Sequence, residues 1–202
     1  MLDPAIAGSL PTGLSLMTMP MDPGEMMFGS QPARMADDGT FELKSSAGRM
    51  RINMMGPMNG FTVRAVRLNG TDITDAGLDF KPNEDISGLE VELTNKVTTI
   101  SGLVTNARGE AVKDYAAIAF AQDKDKWKIV GRYQGMGRPD QDGRFKISGL
   151  APSDYYVVAL DKIDPGQVTD PEFLDAIRPR ATAITIREGE TRTVDLRITA
   201  VP

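Results

Sequence analysis

The 202-residue chain has no cysteine and no histidine. Without cysteine there is no disulfide and no thiolate chemistry. Without histidine it loses the commonest general base and the commonest transition-metal ligand. Ser-His-Asp triads and imidazole zinc sites are therefore excluded. Aromatic residues make up only 6% of the chain, and Trp127 is the single tryptophan. No stretch approaches the ~18 apolar residues that a membrane helix needs, so this segment is expected to insert no helix into a bilayer. Residues 1–19 contain Asp3, Pro4 and Pro11 and no Lys or Arg, which is not the pattern of a signal peptide.

Positive charge is not in excess either. Residues 1–97 hold 8 basic and 13 acidic side chains, and residues 98–202 hold 15 of each. Neither half offers a track for phosphates, so a nucleic-acid partner is not expected. Methionine is unevenly placed, with eleven of the twelve before residue 60.

What the chain has in quantity is short alternation. Leu89, Val91 and Leu93 alternate with Glu90, Glu92 and Thr94. Met50, Ile52 and Met54 alternate with Arg49, Arg51 and Asn53, and Val194, Leu196 and Ile198 with Asp195, Arg197 and Thr199. A period of two describes strands with one buried and one wet face. Clusters of Gly, Pro, Asn and Asp separate them at short intervals, as in a sandwich. One helix is expected, where Thr169-Asp170-Pro171-Glu172 offers a cap, a proline and a first-turn acid, and Phe173, Leu174 and Ile177 make a short apolar face.

An internal repeat organises these segments. Asp38-Gly39-Thr40-Phe41-Glu42-Leu43 recurs as Asp142-Gly143-Arg144-Phe145-Lys146-Ile147, and residues 89–94 recur as 194–199, offset by 104 or 105 positions. With that offset Leu14 and Leu16 fall on Ile118 and Phe120. The pattern gives an all-β fold class: two tandem β-sandwich domains, 1–97 and 98–202, the second with one short helix. They join near residues 96–99, a linker short enough to set the modules end to end. The second copy opens with the strand Ile100-Ser101-Gly102-Leu103-Val104. Moved back by the offset, that strand falls before Met1, so the first domain is expected to lack its first strand and the chain to begin inside a domain.

The second copy is similar to a carboxypeptidase regulatory-like domain, a prealbumin-like (transthyretin-like), Ig-like β-sandwich. The resemblance is carried by Ile100-Ser101-Gly102-Leu103-Val104, by Gly109-Glu110-Ala111-Val112, and by the run from Asp140 through Phe145, Ile147, Gly149 and Leu150 to Pro152. It covers nearly all of residues 98–202, and residues 35–95 match more loosely. Ser153-Asp154 stands where the family usually has Pro-Gly. The resemblance implies an accessory module without catalysis of its own, of the kind attached to peptidases, outer-membrane receptors and surface proteins. The wider fold group includes starch-binding-like and collagen-binding-like modules.

Four groups of residues compete for a site. Trp127, Arg132 and Tyr133 could stack on a sugar face, or Trp127 could cap the core after a hairpin-like turn at residues 123–126; tryptophan is highly buried on average. Met17, Met19, Met21, Met26 and Met27 offer soft thioethers for Cu(I), or apolar cover for a neighbouring surface. The repeat places Leu14 and Leu16 inward, so Met17 and Met19 should face out. Asp140 and Asp142 could suggest calcium, but an EF-hand needs six ligand positions ending in Glu, and a turn is the simpler role. The acid pairs Asp161 with Asp164 and Glu188 with Glu190 lie beside Gly and Pro and read as solvated loops.

These readings converge on a non-catalytic structural or protein-interaction module of a larger extracytoplasmic bacterial protein, periplasmic, secreted or on the cell surface. No metal site and no cofactor are expected. Its partners would be other domains of a parent protein or another protein. A carbohydrate-binding module is the alternative, with a glycan as ligand, and Cu(I) binding is a distant third.

Overall fold

The computed structural model describes residues 13–21, 31–36, 38–129 and 131–201. The chain divides into two compact units, Met1–Asn95 and Lys96–Pro202. The protein is all-β, built as two β-sandwich domains, and the α-helix among the described residues lies in the second.

The first unit contains β1 (Ser15–Pro20), β2 (Ala33–Arg34), β3 (Gly48–Met55), β4 (Thr62–Leu68), β5 (Thr71–Asp72), β6 (Leu78–Phe80) and β7 (Leu89–Thr94). One sheet has the order β2-β1-β3-β6 and the other β5-β4-β7. Alternation sets the faces: Leu14, Leu16 and Thr18 are buried, and Met17 and Met19 point the other way. Thr18 is tolerated inside because its hydroxyl meets that of Ser45 at 3.0 Å, which spares it the cost of an unpaired buried polar group. Leu16 lies opposite Met54, and Thr18 opposite Ile52. Leu16, Ala33, Ile52 and Val66 form the buried cluster, with Phe41, Leu43, Leu89 and Val91 only partly buried against it.

The second unit contains β8 (Thr99–Thr105), β9 (Ala116–Ala121), β10 (Gln134–Gly137), β11 (Arg144–Ser148), β12 (Ser153–Leu160), α1 (Pro171–Ile177), β13 (Thr182–Ile186), β14 (Thr191–Thr193) and β15 (Leu196–Thr199). Pairing runs β10-β9-β12-β15-β8-β11, with β13 on β12 and β14 on β8. β15 pairs in parallel with both β12 and β8, which joins the two faces of the sandwich. The continuous apolar run of β9 is buried at every position, as expected of a strand covered on both sides. The helix begins where the sequence signals it. Asp170 accepts a 2.9 Å bond from the Glu172 amide, and Pro171 sits in the first turn, where its missing donor costs nothing. Leu174 and Ile177 are buried in the same core as β9 and β12.

The repeat holds at the level of individual hydrogen bonds. In the first copy the Gly39 amide donates to the Ala36 carbonyl at 2.9 Å and the Ala36 amide to the Thr40 carbonyl at 2.8 Å. In the second the Gly143 amide donates to Asp140 at 3.0 Å and the Asp140 amide to Arg144 at 2.8 Å. Gly39 and Gly143 have φ of +82° and +77°, the left-handed geometry that makes glycine the residue of choice in both turns. Beyond the turn the copies diverge. Residues 144–148 become β11, but residues 40–43 form no strand, and Lys44 makes only an isolated bridge to Gln31. β11 exists as a strand because β8 pairs with it along its whole length. Among the described residues of the first unit, no strand stands in the place of β8. The sequence repeat made residues 38–43 a turn plus a strand; the turn is there, and residues 40–43 are not a strand.

Candidate functional site

A cavity of about 860 Å³ lies in the first unit. Residues 40–45 and 82–89 line it, with Leu78 and Phe80 of β6. Phe41, Leu43, Leu78, Phe80, Ile86 and Leu89 all line the cavity and are only partly buried. Their counterparts on β11, Phe145 and Ile147, are 1% and 3% exposed. Among the described residues β7 pairs with β4 alone, at the end of the order β5-β4-β7. The chemistry on offer is pairing with an extended backbone plus apolar burial.

Trp127, Arg132 and Tyr133 are brought together, but Trp127 and Tyr133 belong to the core and Arg132 is half-buried. Trp127 is 3% exposed and Tyr133 5%. Trp127 sits in a 3-10 turn, Lys124–Lys128, and not after a hairpin; Asp123 caps that turn by accepting from the Asp125 amide at 3.0 Å. The indole N–H donates to the Ala121 carbonyl at 2.7 Å, and the ring packs edge-on to Phe120, 5.7 Å between centroids. Lys124 lies 5.5 Å from the indole centroid, and Lys126 and Arg132 lie 4.7 and 5.7 Å from that of Tyr133. Stacking on a sugar needs an open ring face, and this indole has almost none to offer.

Other conspicuous polar groups are tied to the backbone. Asp140 Oδ1 accepts from the amides of Asp142 and Arg144 at 2.9 and 2.8 Å, which makes it a turn former. Asp38 plays the same part, accepting from the Thr40 amide and hydroxyl at 2.9 and 2.7 Å; those bonds hold its carboxyl below the usual range. Tyr115 is fully buried and donates to the Gly143 carbonyl at 2.8 Å. Burial pushes its phenol up to about 12. Tyr155 Oη donates to the Ala151 carbonyl at 2.6 Å. Glu190 accepts from the Arg187 amide at 2.9 Å, and Asp161 from that of Val201 at 3.2 Å.

Among the described residues no three of His, Cys, Asp and Glu are grouped to hold a metal ion. Met17 and Met19 face outward on β1, and Met19 Sδ accepts from the Asn53 amide group at 2.8 Å. Met21 follows the strand, with its sulfur against Gly77. Met26 and Met27 lie outside the described residues.

The class defined by this architecture is an all-β protein of two β-sandwich domains. No family model and no curated protein matches the chain. Among solved structures it is similar to the major pilin subunit of Bacillus cereus at 10% identity and a TM-score of 0.33, over 92% of this chain and 94% of that one. The minor pilin of Streptococcus agalactiae is similar at 14% identity and a TM-score of 0.29, over 91% and 81%. The TIE protein of Bacillus anthracis is similar at 15% identity and a TM-score of 0.33, over 92% of this chain but only 30% of that one. Likenesses of this size carry no argument about function.

The notable residues missed by sequence reasoning are cavity-lining residues 82–88, with Leu78 and Phe80. The signal was present in the repeat: residues 86–88 fall on β14, which also needs β8 as its partner.

Proposed function

We propose that the chain is a non-catalytic structural and protein-interaction module of a secreted, periplasmic or surface-anchored bacterial protein. The second unit is the carboxypeptidase regulatory-like domain of that module. The observation that carries this reading is where the chemically capable side chains are spent. Trp127, Tyr115, Tyr155 and Asp140 each hold a backbone group of the sandwich in place. Such groups build a scaffold, and a scaffold with an open cavity is suited to holding another polypeptide.

Fractionation of the native host with an antibody against residues 96–202 tests the reading. The expected result is recovery from the envelope or the medium, within a polypeptide longer than 202 residues. Recovery of a free 202-residue species from the cytoplasm overturns it.

A further inference from the structure

We propose that β13 of the second unit is a self-association edge, which pairs antiparallel with β13 of a second copy of this chain about a two-fold axis at Ile184. This self-pairing goes beyond the interaction reading above and does not involve the cavity of the first unit.

The alternation of backbone groups leaves one side of β13 open. The Gln122 main-chain amide donates to the Asp154 carbonyl at 2.9 Å, and the Ala121 amide to the Tyr133 carbonyl at 3.0 Å. Asp154 therefore turns its main chain toward β9. Tyr155, opposite Ala121, turns its own away from β9 and toward β13. Tyr155 lies opposite Ile184 and Val157 opposite Thr182. Thr182, Ile184 and Ile186 thus bond to β12, and the N–H and C=O groups of Ala183 and Thr185 point to the other side. Among the described residues β13 pairs with β12 alone, and no hydrogen bond reaches the main chain of Ala183 or Thr185 from that side.

The ends of the strand are already closed. The Ala181 amide donates to the Arg178 carbonyl at 3.1 Å, and the Arg187 amide to Glu190 Oε2 at 2.9 Å. Ala183 and Thr185 are exposed, and a concavity of about 350 Å³ lies against them and Ile184. Proteins blunt open edges with Lys, Pro, a bulge or an inward charge. Residues 181–186, Ala-Thr-Ala-Ile-Thr-Ile, contain no charge and no proline, and the β12–β13 register runs without a break.

The strand is complementary to itself. With Ile184 opposite Ile184 of the second copy, Ala183 of each copy faces Thr185 of the other. These are the residues whose outward groups are unmatched, and each pair exchanges two main-chain bonds. The two Ile184 side chains meet at the non-hydrogen-bonded position, where side chains approach most closely. Arg180 and Glu188 stand two residues outside the strand at its two ends, so each Arg180 comes beside the other copy's Glu188. Arg180 already donates through Nη1 to the Ala200 carbonyl at 2.6 Å, and its guanidinium has further donors to give. A shift of one residue sets outward groups against groups that already bond to β12. Centring on Ala183 sets Arg180 against Ile186, and centring on Thr185 sets Glu188 against Thr182. Ile184 is the centre that matches both the hydrogen bonds and the charges.

Sedimentation equilibrium on the full chain tests the proposal. The expected result is a monomer–dimer equilibrium in the micromolar range, weak because each copy contributes a single strand. Thr185→Pro removes an outward donor and leaves the bonds to β12 in place, and it should abolish the dimer. Arg180→Glu and Glu188→Arg should each weaken the dimer about tenfold, and the double variant should restore it. Urea midpoints read from Trp127 show which variants are folded; if Thr185→Pro is not, the charge exchange decides. A chain that stays monomeric up to about 1 mM overturns the proposal. So does a dimer that folded Thr185→Pro leaves intact, that the single charge variants leave unchanged, or that the double variant fails to restore.

Discussion

Phe145 lies opposite Gly102 across the β8–β11 ladder, and the edge of its ring stands 3.1 Å from where a Cβ on Gly102 would be. The same absent Cβ would lie 1.9 Å from the Val194 carbonyl. Three elements, β8, β11 and the chain entering β15, therefore meet at one glycine. The repeat equivalent of Phe145 is Phe41, which borders the open cavity and is only partly buried.

A side chain at position 102 has to displace backbone. Gly102→Val is expected to destabilise the second unit by about 3 kcal/mol or more, at the upper end of what overpacking costs. Urea unfolding read by the fluorescence of Trp127 measures it, since the single tryptophan reports on this unit alone. A loss below about 1 kcal/mol would mean that β8 shifts easily and that the close approach is not a constraint.

Tyr115 gives the second unit an alkaline limit. Its folded phenol is pushed up to about 12 by burial, and an unfolded one titrates near 10. Below pH 10 both states are protonated and the full stability is present. As pH rises from about 10 to 12, only the unfolded phenol ionises, and stability falls by about 2–3 kcal/mol, one pKa unit being 1.36 kcal/mol. Tyr115→Phe should cost about 1–2 kcal/mol at pH 7, because the Gly143 carbonyl loses its donor. The variant should also show a flatter decline above pH 10. Urea midpoints across this range, for both proteins, check the sign and the slope.

Trp127 should emit in the blue and resist quenching by acrylamide, because it is buried and its N–H is bonded to Ala121. Soluble oligosaccharides should leave the spectrum unchanged. A red-shifted, quenchable emission that responds to a sugar would restore the stacking role of Trp127, Arg132 and Tyr133.

The strands were legible in the sequence because period-two patterns record burial on one face. Residues 14, 16 and 18, and 145 and 147, obey it. The Asp-Gly turns were legible because positive φ favours few residue types. The 3-10 turn at Trp127 was not, since Asp-Lys-Asp-Lys is polar at every position and carries no periodicity to separate a hairpin from a helical turn. Nor did alternation reveal that residues 40–43 form no strand. Phe41 and Leu43 have the right pattern, but pairing is a property of two segments, and the pattern of one says nothing of whether its partner is present. Residues 86–88 were missed for the same reason in reverse: Ile86-Ser87-Gly88 reads as loop, and its counterpart, Thr191–Thr193, is a strand paired with β8.

Amide hydrogen exchange on the intact chain, compared position by position across the repeat, tests most directly whether the first unit has an open strand position. Amides at residues 41–44 and 86–88 should exchange at least about a hundredfold faster than those at residues 145–148 and 191–193, as expected for groups without ladder partners. Residues 50–54 in the first unit, which pair with β1, should remain protected, showing that the domain is folded around the gap. Equal protection at the two sets of repeat positions in a monomer would contradict the account, because it would mean that the first sandwich is already closed.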